Sequence, residues 1–208
     1  NQSLQSRTQV VVCLQFSRTV FVWLNSGFAH DKMYVFQTNL NSINKNSENL
    51  LTFHYHQNNR EYDESGYFSW YNNDSAVIKA ERKIKAIEKI SYGYGTEYKY
   101  DGAEFTNNGS WSSPSARENY DNLGFFANTG YQYSENTIFS LYGRTDNHKV
   151  TGSNSTYKIN LTQFLNNFKL SLTHSTGLRN PSLYELYGEN GRTDSYKHVG
   201  NLDAKPEK

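Results

Sequence analysis

The sequence predicts an all-β protein, an antiparallel up-and-down sheet of the transmembrane-barrel type that does not by itself complete a barrel. Three observations predict it. Aromatic residues make up 15% of the 208-residue chain, with 17 Tyr and 12 Phe, yet the mean hydropathy is -0.83. Tyr has an apolar ring and a polar tip, which suits a surface that is half wet. Apolar and polar residues alternate with period two along many segments, as on strands lying between an apolar and a polar medium. Tight turns also alternate with longer polar connections, and ~10-residue alternating segments with that connectivity are the pattern of membrane barrels.

About nine segments fit the template, near 8–24, 31–43, 49–61, 67–82, 89–106, 121–134, 137–148, 155–164 and 167–177. Residues 1–30 show little clean alternation, and whether they are native barrel sequence is left open. In the third segment Leu51, Phe53 and Tyr55 oppose Thr52, His54 and His56. Residues 76–90 (AVIKAERKIKAIEKI) read as strand, turn and strand, although their periodicity also fits a short amphipathic helix. The clearest strand follows: Ile90, Tyr92, Tyr94, Thr96, Tyr98 and Tyr100 share one face, with Ser91, Gly93, Gly95, Glu97 and Lys99 on the other. Residues 107–120 read as a long polar loop containing Gly109, Trp111 and Pro114. Beyond it Leu123, Phe125, Ala127, Tyr131 and Tyr133 share a face. Residues 137–147 alternate more weakly, with Phe139 and Leu141 on one side. Tyr157, Ile159 and Leu161, then Phe168, Leu170 and Leu172, form the last two apolar faces. Tight turns are expected at 134–136 and 165–167. Backbone groups in hydrocarbon have no water to bond with, so a membrane sheet must close. An odd strand count and a ragged start point to part of a larger barrel.

Charge and composition exclude several classes. There are 21 Lys and Arg against 20 Asp and Glu, a net charge of +1, which argues against phosphate-driven nucleic-acid binding. Arg82, Lys83, Lys85 and Lys89 are interrupted by Glu81 and Glu88 and read as a solvated turn. The lone Cys13 forms no internal disulfide and has no CxxC partner; its flanks, Val11, Val12 and Leu14, suit a small buried or lipid-facing residue. No apolar run reaches the roughly 18 residues of a membrane helix. Asn1 is not a start residue, so the chain reads as mature or as a piece.

Site motifs are sparse. His54 and His56 share a strand face and are weak metal candidates, since a zinc site needs three or four ligands; solvated residues are the plainer reading. His148, His174 and His198 lack ligand spacing. Asp101, Glu104 and Asp121 flank the expected long loop without the alternating pattern of a calcium loop. Ser155 to Lys158 fits S-x-x-K without its companion motifs. Gly93-Tyr94-Gly95 lacks the third glycine of a dinucleotide loop. The sequons at Asn108 and Asn154 carry little weight. No nucleophile, base and orienter come together, so neither an enzyme nor a cofactor is expected.

The end of the chain carries the most specific signal. GLRNPSLYELYG, residues 177–188, is followed by GNLDAKPEK, residues 200–208. This resembles the TonB-dependent outer-membrane receptors, whose barrels carry a segment like G-F/Y-R/K-A-P-S/N-L-x-E/Q-L-Y-G and then G-N-P-x-L-K-P-E. The match runs through Gly177, Arg179, Pro181, Ser182, Leu183, Glu185, Leu186, Tyr187 and Gly188, and resumes at Gly200, Asn201, Lys205, Pro206 and Glu207. Asn180 stands where Ala is usual, and Leu202 follows Asn201 where Pro is frequent. Upstream the resemblance is softer: Arg144, Asp146 and His148 stand where the family has an R-x-D-x-H-like stretch. It covers roughly residues 92–208.

The resemblance implies part of a 22-stranded barrel from an outer-membrane importer of a Gram-negative bacterium. Nothing resembles the family's plug or its TonB-contacting segment. The implied partners are TonB with its motor proteins, a ferric siderophore, haem or cobalamin ligand, and lipid or lipopolysaccharide. The motif spelling leans slightly to cobalamin receptors. Arg179, Asn180, Arg144 and Asp146 are the ligand-facing candidates. Tyr184 and Tyr187 are set to pack on barrel or plug, and a structural role for the motif is favoured over ligand contact. A passive porin, or a soluble aromatic-rich glycan-binding sheet, is the alternative.

Overall fold

The computed structural model describes residues 7–24, 27–64, 67–108, 113–188 and 200–208. They form one antiparallel sheet in which each strand pairs with its sequence neighbours: β1 (Arg7–Leu24), β2 (Gly27–Ile43), β3 (Ser47–Glu64), β4 (Tyr67–Ile87), β5 (Ile90–Asn108), β6 (Ser113–Ser134), β7 (Thr137–His148), β8 (Gly152–Leu165) and β9 (Phe168–Ser175). A short helix, α1 (Leu183–Tyr187), follows. Nine meandering strands match the count read from alternation. The sheet is open, because β1 and β9 each pair on one side only among the described residues. The side chain of Cys13 lies outside those residues.

Register explains the two faces. Phe53, Ile78, Tyr98 and Leu123 lie in one cross-strand row, and Tyr55, Ala76, Tyr100 and Asp121 in the next. This face is apolar and open: Phe168 is 77% exposed, Leu172 72% and Phe125 57%. Only Ala103, Phe126, Pro181, Leu183 and Leu186 are buried apolar side chains among the described residues. So large an exposed apolar surface over so small a core is the inverse of a water-soluble sheet. On β5 the apolar run from Tyr92 to Tyr100 covers eight residue steps, about 27 Å along the strand and roughly 20 Å vertically at the usual tilt, close to the lipid-facing band of a membrane barrel.

Beyond Tyr100 the outward face turns polar. Gln57, Asp74, Gly102 and Asn119 occupy the next row. The strands nevertheless continue, and this corrects the expectation of a loop over 107–120. β5 runs to Asn108 and β6 begins at Ser113, with Asn107 opposite Ser113. Asp101, Glu104 and Asp121 therefore lie within strands. With the outward face polar here, the backbone pairing persists while the apolar outward alternation stops. The stretch 76–90 is strand to Ile87, a turn at 88–89, then strand; the bulge between Lys85 and Ile87 sits beside that turn. Connections at 44–46, 88–89, 135–136 and 166–167 all lie at one end of the sheet. Asn166 takes a positive φ of 48° in the last of them, a conformation that Asn tolerates in two-residue hairpins.

Candidate functional site

The inward face carries charge, and its arrangement follows from where glycine sits. Glu97, Gly124 and Asp146 occupy one cross-strand row. With no side chain on Gly124, the Arg144 guanidinium lies across it; a Cβ there would approach Arg144 Nη2 to 2.5 Å. Arg144 donates from Nη2 to Glu97 Oε1 at 2.8 Å and from Nε to Asp146 Oδ2 at 2.7 Å. Asn122 Nδ2 donates to Asp146 Oδ1 at 2.7 Å. In the adjoining row the Phe126 ring covers Gly95, Lys79 Nζ stands 4.9 Å above that ring, and Tyr142 stacks 6.2 Å from it. The result is a wall of paired charges laid flat on the sheet. His148, 2% exposed, accepts the Val150 and Thr151 N–H groups on Nδ1 at 3.2 Å and packs on Tyr120 at 4.4 Å. It fixes the turn between β7 and β8.

At the end opposite the tight turns, the terminal motif folds back over β6. Ser182 and Glu185 form a capping box: Ser182 Oγ accepts from Glu185 N at 3.2 Å, and Ser182 N donates to Glu185 Oε2 at 2.7 Å. Such a box satisfies two helix-end donors at once. Leu186 is 1% exposed and Leu183 7%, so this short helix is held by burial of its two leucines. Arg179 clasps both carboxylates, donating to Glu185 at 3.0 and 3.1 Å and to Glu207 at 2.9 Å through Nε and Nη2. Arg179 and Glu207 also exchange both backbone hydrogen bonds at 3.0 Å. These donors hold the Glu185 carboxyl down at about 2, with the Arg179 bonds the larger cause, and hold Glu207 below its usual range.

Gly200 explains the spacing between the two halves of the motif. Its α-carbon rests on the backbone at the end of α1, where a Cβ would collide with the Tyr187 carbonyl carbon and the Leu186 oxygen. Asn201 N then donates to Glu185 O at 2.9 Å. Gly188, with φ 56°, ends the helix and donates its N–H to Tyr184 O.

The structure brings the four ligand-facing candidates to two places. Arg144 and Asp146 are neighbours in the inward wall. Arg179 belongs to the clasp, while Asn180 accepts from Thr151 Oγ1 at 3.1 Å and ties the motif to the turn between β7 and β8. His54 and His56 lie on β3 opposite Val77 and Ser75. No group of three or more His, Cys, Asp and Glu side chains gathers among the described residues. His198 lies outside them. Sequence reasoning missed Glu97, Asn122 and Phe126, which hairpin register brings beside Arg144, Asp146 and His148, and Thr151, which meets Asn180 from the turn between β7 and β8. Between α1 and the inward wall is a cleft of about 530 Å³ lined by Asn58, Arg60, Tyr71, Asp101, Tyr120 and Tyr184.

An apolar outward band, a charged inward wall and hairpins lengthened at one end define a section of an outer-membrane-type β-barrel. The family model described as TonB dependent receptor-like, beta-barrel matches residues 7–208, and the chain belongs to that family. It is a family of outer-membrane receptors and transporters of Gram-negative bacteria. A search among curated proteins returned no match.

Proposed function

We propose that this chain forms barrel wall of an active importer in the outer membrane, taking up a scarce ligand such as a ferric siderophore, haem or cobalamin with energy delivered through TonB. Transport, not catalysis, is its work. The observation that carries this reading is the two-part terminal motif, in which Gly200, Arg179 and Glu207 lock a helical turn onto the inward face at the lengthened end. That end is the outside of the cell, because membrane barrels keep their short turns in the periplasm. The cleft beneath α1 then opens toward arriving ligand, with amide, phenol and carboxylate groups that fix orientation and Tyr rings that supply apolar contact. Below it the Glu97–Arg144–Asp146 wall presents paired charges that keep the passage polar without binding an ion tightly.

The test is uptake of labelled cobalamin and of ferric chelates by cells carrying or lacking the gene, each with and without TonB. The proposal expects surface binding that needs the gene alone and import that needs both. Import that continues without TonB would identify a passive porin instead. Recovery of the protein in the soluble fraction would overturn both membrane readings.

A further inference from the structure

The outward face carries one cation near the turn-side edge of its apolar band. Between the row Ser42, Asn49, Arg82 and the row Tyr55, Ala76, Tyr100, Arg82 is the only Lys or Arg on this face of β2 to β9 among the described residues. Its side chain makes no hydrogen bond or ion pair within the described residues. The neighbouring acid, Glu81, points to the other face, where it pairs with Lys79 at 3.0 Å and Lys83 at 3.9 Å. Glu48 is likewise engaged, accepting from Asn41 at 2.9 Å.

Arg82 does not stand on a flat surface. It closes the turn-side end of a groove of about 610 Å³ whose walls are Leu40, Leu51, Tyr94 and Phe125 and whose floor is the small Ala80. Thr96 also faces the groove, but its hydroxyl donates to Gly124 O at 3.1 Å and so leaves the trough apolar. Ser42 and Asn49 join Arg82 at the closed end. The groove is therefore apolar along its length, and it ends in a guanidinium flanked by an amide and a hydroxyl.

We infer that this groove binds one phospholipid of the periplasmic leaflet, with an acyl chain in the trough and the phosphodiester on Arg82 and Asn49. Charge complementarity selects the occupant. A guanidinium offers a planar fork that matches phosphate oxygens, and a phosphodiester is the anion that lipid supplies at this depth. The leaflet follows from the tight-turn end of the sheet, so the inference rests on the outer-membrane reading above.

The test uses the protein extracted from its native outer membrane in mild detergent and exchanged into phosphatidylglycerol. Native mass spectrometry through a delipidating gradient counts what stays bound. Wild type should hold one phosphatidylglycerol after the bulk lipid has left. Arg82→Gln removes the fork, and Ala80→Phe fills the trough while keeping the charge. Each should lower retention roughly tenfold, the scale of one charge-assisted contact. Lys85→Gln, which removes a nearby cation that does not line this groove, should change nothing. Heat-modified gel migration confirms that each variant is folded. If Arg82→Gln does not fold, Arg82→Lys decides, since it keeps the charge without the fork and should fall between wild type and Ala80→Phe. Equal retention in all variants, or a loss in Lys85→Gln matching that in Arg82→Gln, would overturn the site. So would full retention in Ala80→Phe, which would reduce Arg82 to an interfacial anchor. A protein that sits in the outer membrane and imports its ligand yet holds no lipid would overturn this inference alone.

Discussion

Two glycines of the terminal motif should behave in opposite ways when a single methyl group is added. Gly200→Ala places a Cβ against Tyr187 C, Leu186 O and, at 2.5 Å, Gly188 N. All three are backbone atoms, and none can rotate away. Gly177→Ala meets nothing within 4 Å. Overpacking of this kind costs about 1–3 kcal/mol, which is roughly 5- to 150-fold in a local opening constant. The reporter is the Asn201 amide, whose hydrogen bond to Glu185 O holds the second half of the motif to α1. Hydrogen exchange reads local opening directly. Gly200→Ala should speed exchange at Asn201 and Glu207 by that factor while leaving amides of the β5–β6 ladder unchanged. Gly177→Ala should exchange like wild type. Equal protection in both variants would refute the reasoning, because it would mean that the close approach at Gly200 does not hold the motif together.

Further outcomes follow from the same geometry. Glu185 is held at about 2 and Glu207 below its usual range, so the clasp contributes fully above the unfolded carboxyl value of about 4.3. That contribution should be lost as pH falls from there toward about 2. Amide protection at Arg179, corrected for intrinsic rate, should track this window, and Glu185→Gln should flatten the dependence. Arg144→Gln leaves two carboxylates facing each other across Gly124, with the Asp146 side chain only 9% exposed. It should cost about 2–4 kcal/mol, somewhat less than a fully buried pair because Glu97 remains partly wet; the urea midpoint measures it, and adding Asp146→Asn should recover part. Ala127→Arg sets a charge in the middle of the outward apolar run of β6 and should cost about 2–4 kcal/mol of folding in bilayers. Asn128→Arg, one residue on and facing inward, should stay within about 1 kcal/mol.

Much of this was readable from residue order, because lipid and water impose a period-two pattern wherever they face opposite sides of one sheet. β5, β7, β8 and β9 stand where alternation places them, as does β6 from residue 121 onward. Residues 76–90 were ambiguous because Ala76, Ile78, Ala80 and Ile84 satisfy helical and strand spacing together; pairing with β3 and β5 decides for the strand. The error at 107–120 has a physical cause. Past Tyr100 the outward positions turn polar, so the apolar alternation that marks a lipid-facing strand stops although the backbone stays paired. The inward wall was hidden for another reason. Arg144, Asp146 and His148 are visible as a motif, but their partners depend on register, and the bulge between Gln132 and Ser134 shifts it in a way that no residue pattern announces. Glu97 lies 47 positions from Arg144. The clasp was legible only as spelling: Arg179, Glu185 and Glu207 belong to matched motifs, and the structure gives the reason they occur together.

Neighbouring residues of β5 face lipid and water alternately. Spin labels placed one at a time at Glu97, Tyr98, Lys99 and Tyr100 in membrane-embedded protein measure this by their collision rates with oxygen, which concentrates in lipid, and with a water-soluble nickel chelate. Labels at Tyr98 and Tyr100 should favour oxygen, and labels at Glu97 and Lys99 should favour nickel. Uniform nickel accessibility at all four positions would contradict it, and the sheet would then have to be a water-exposed one.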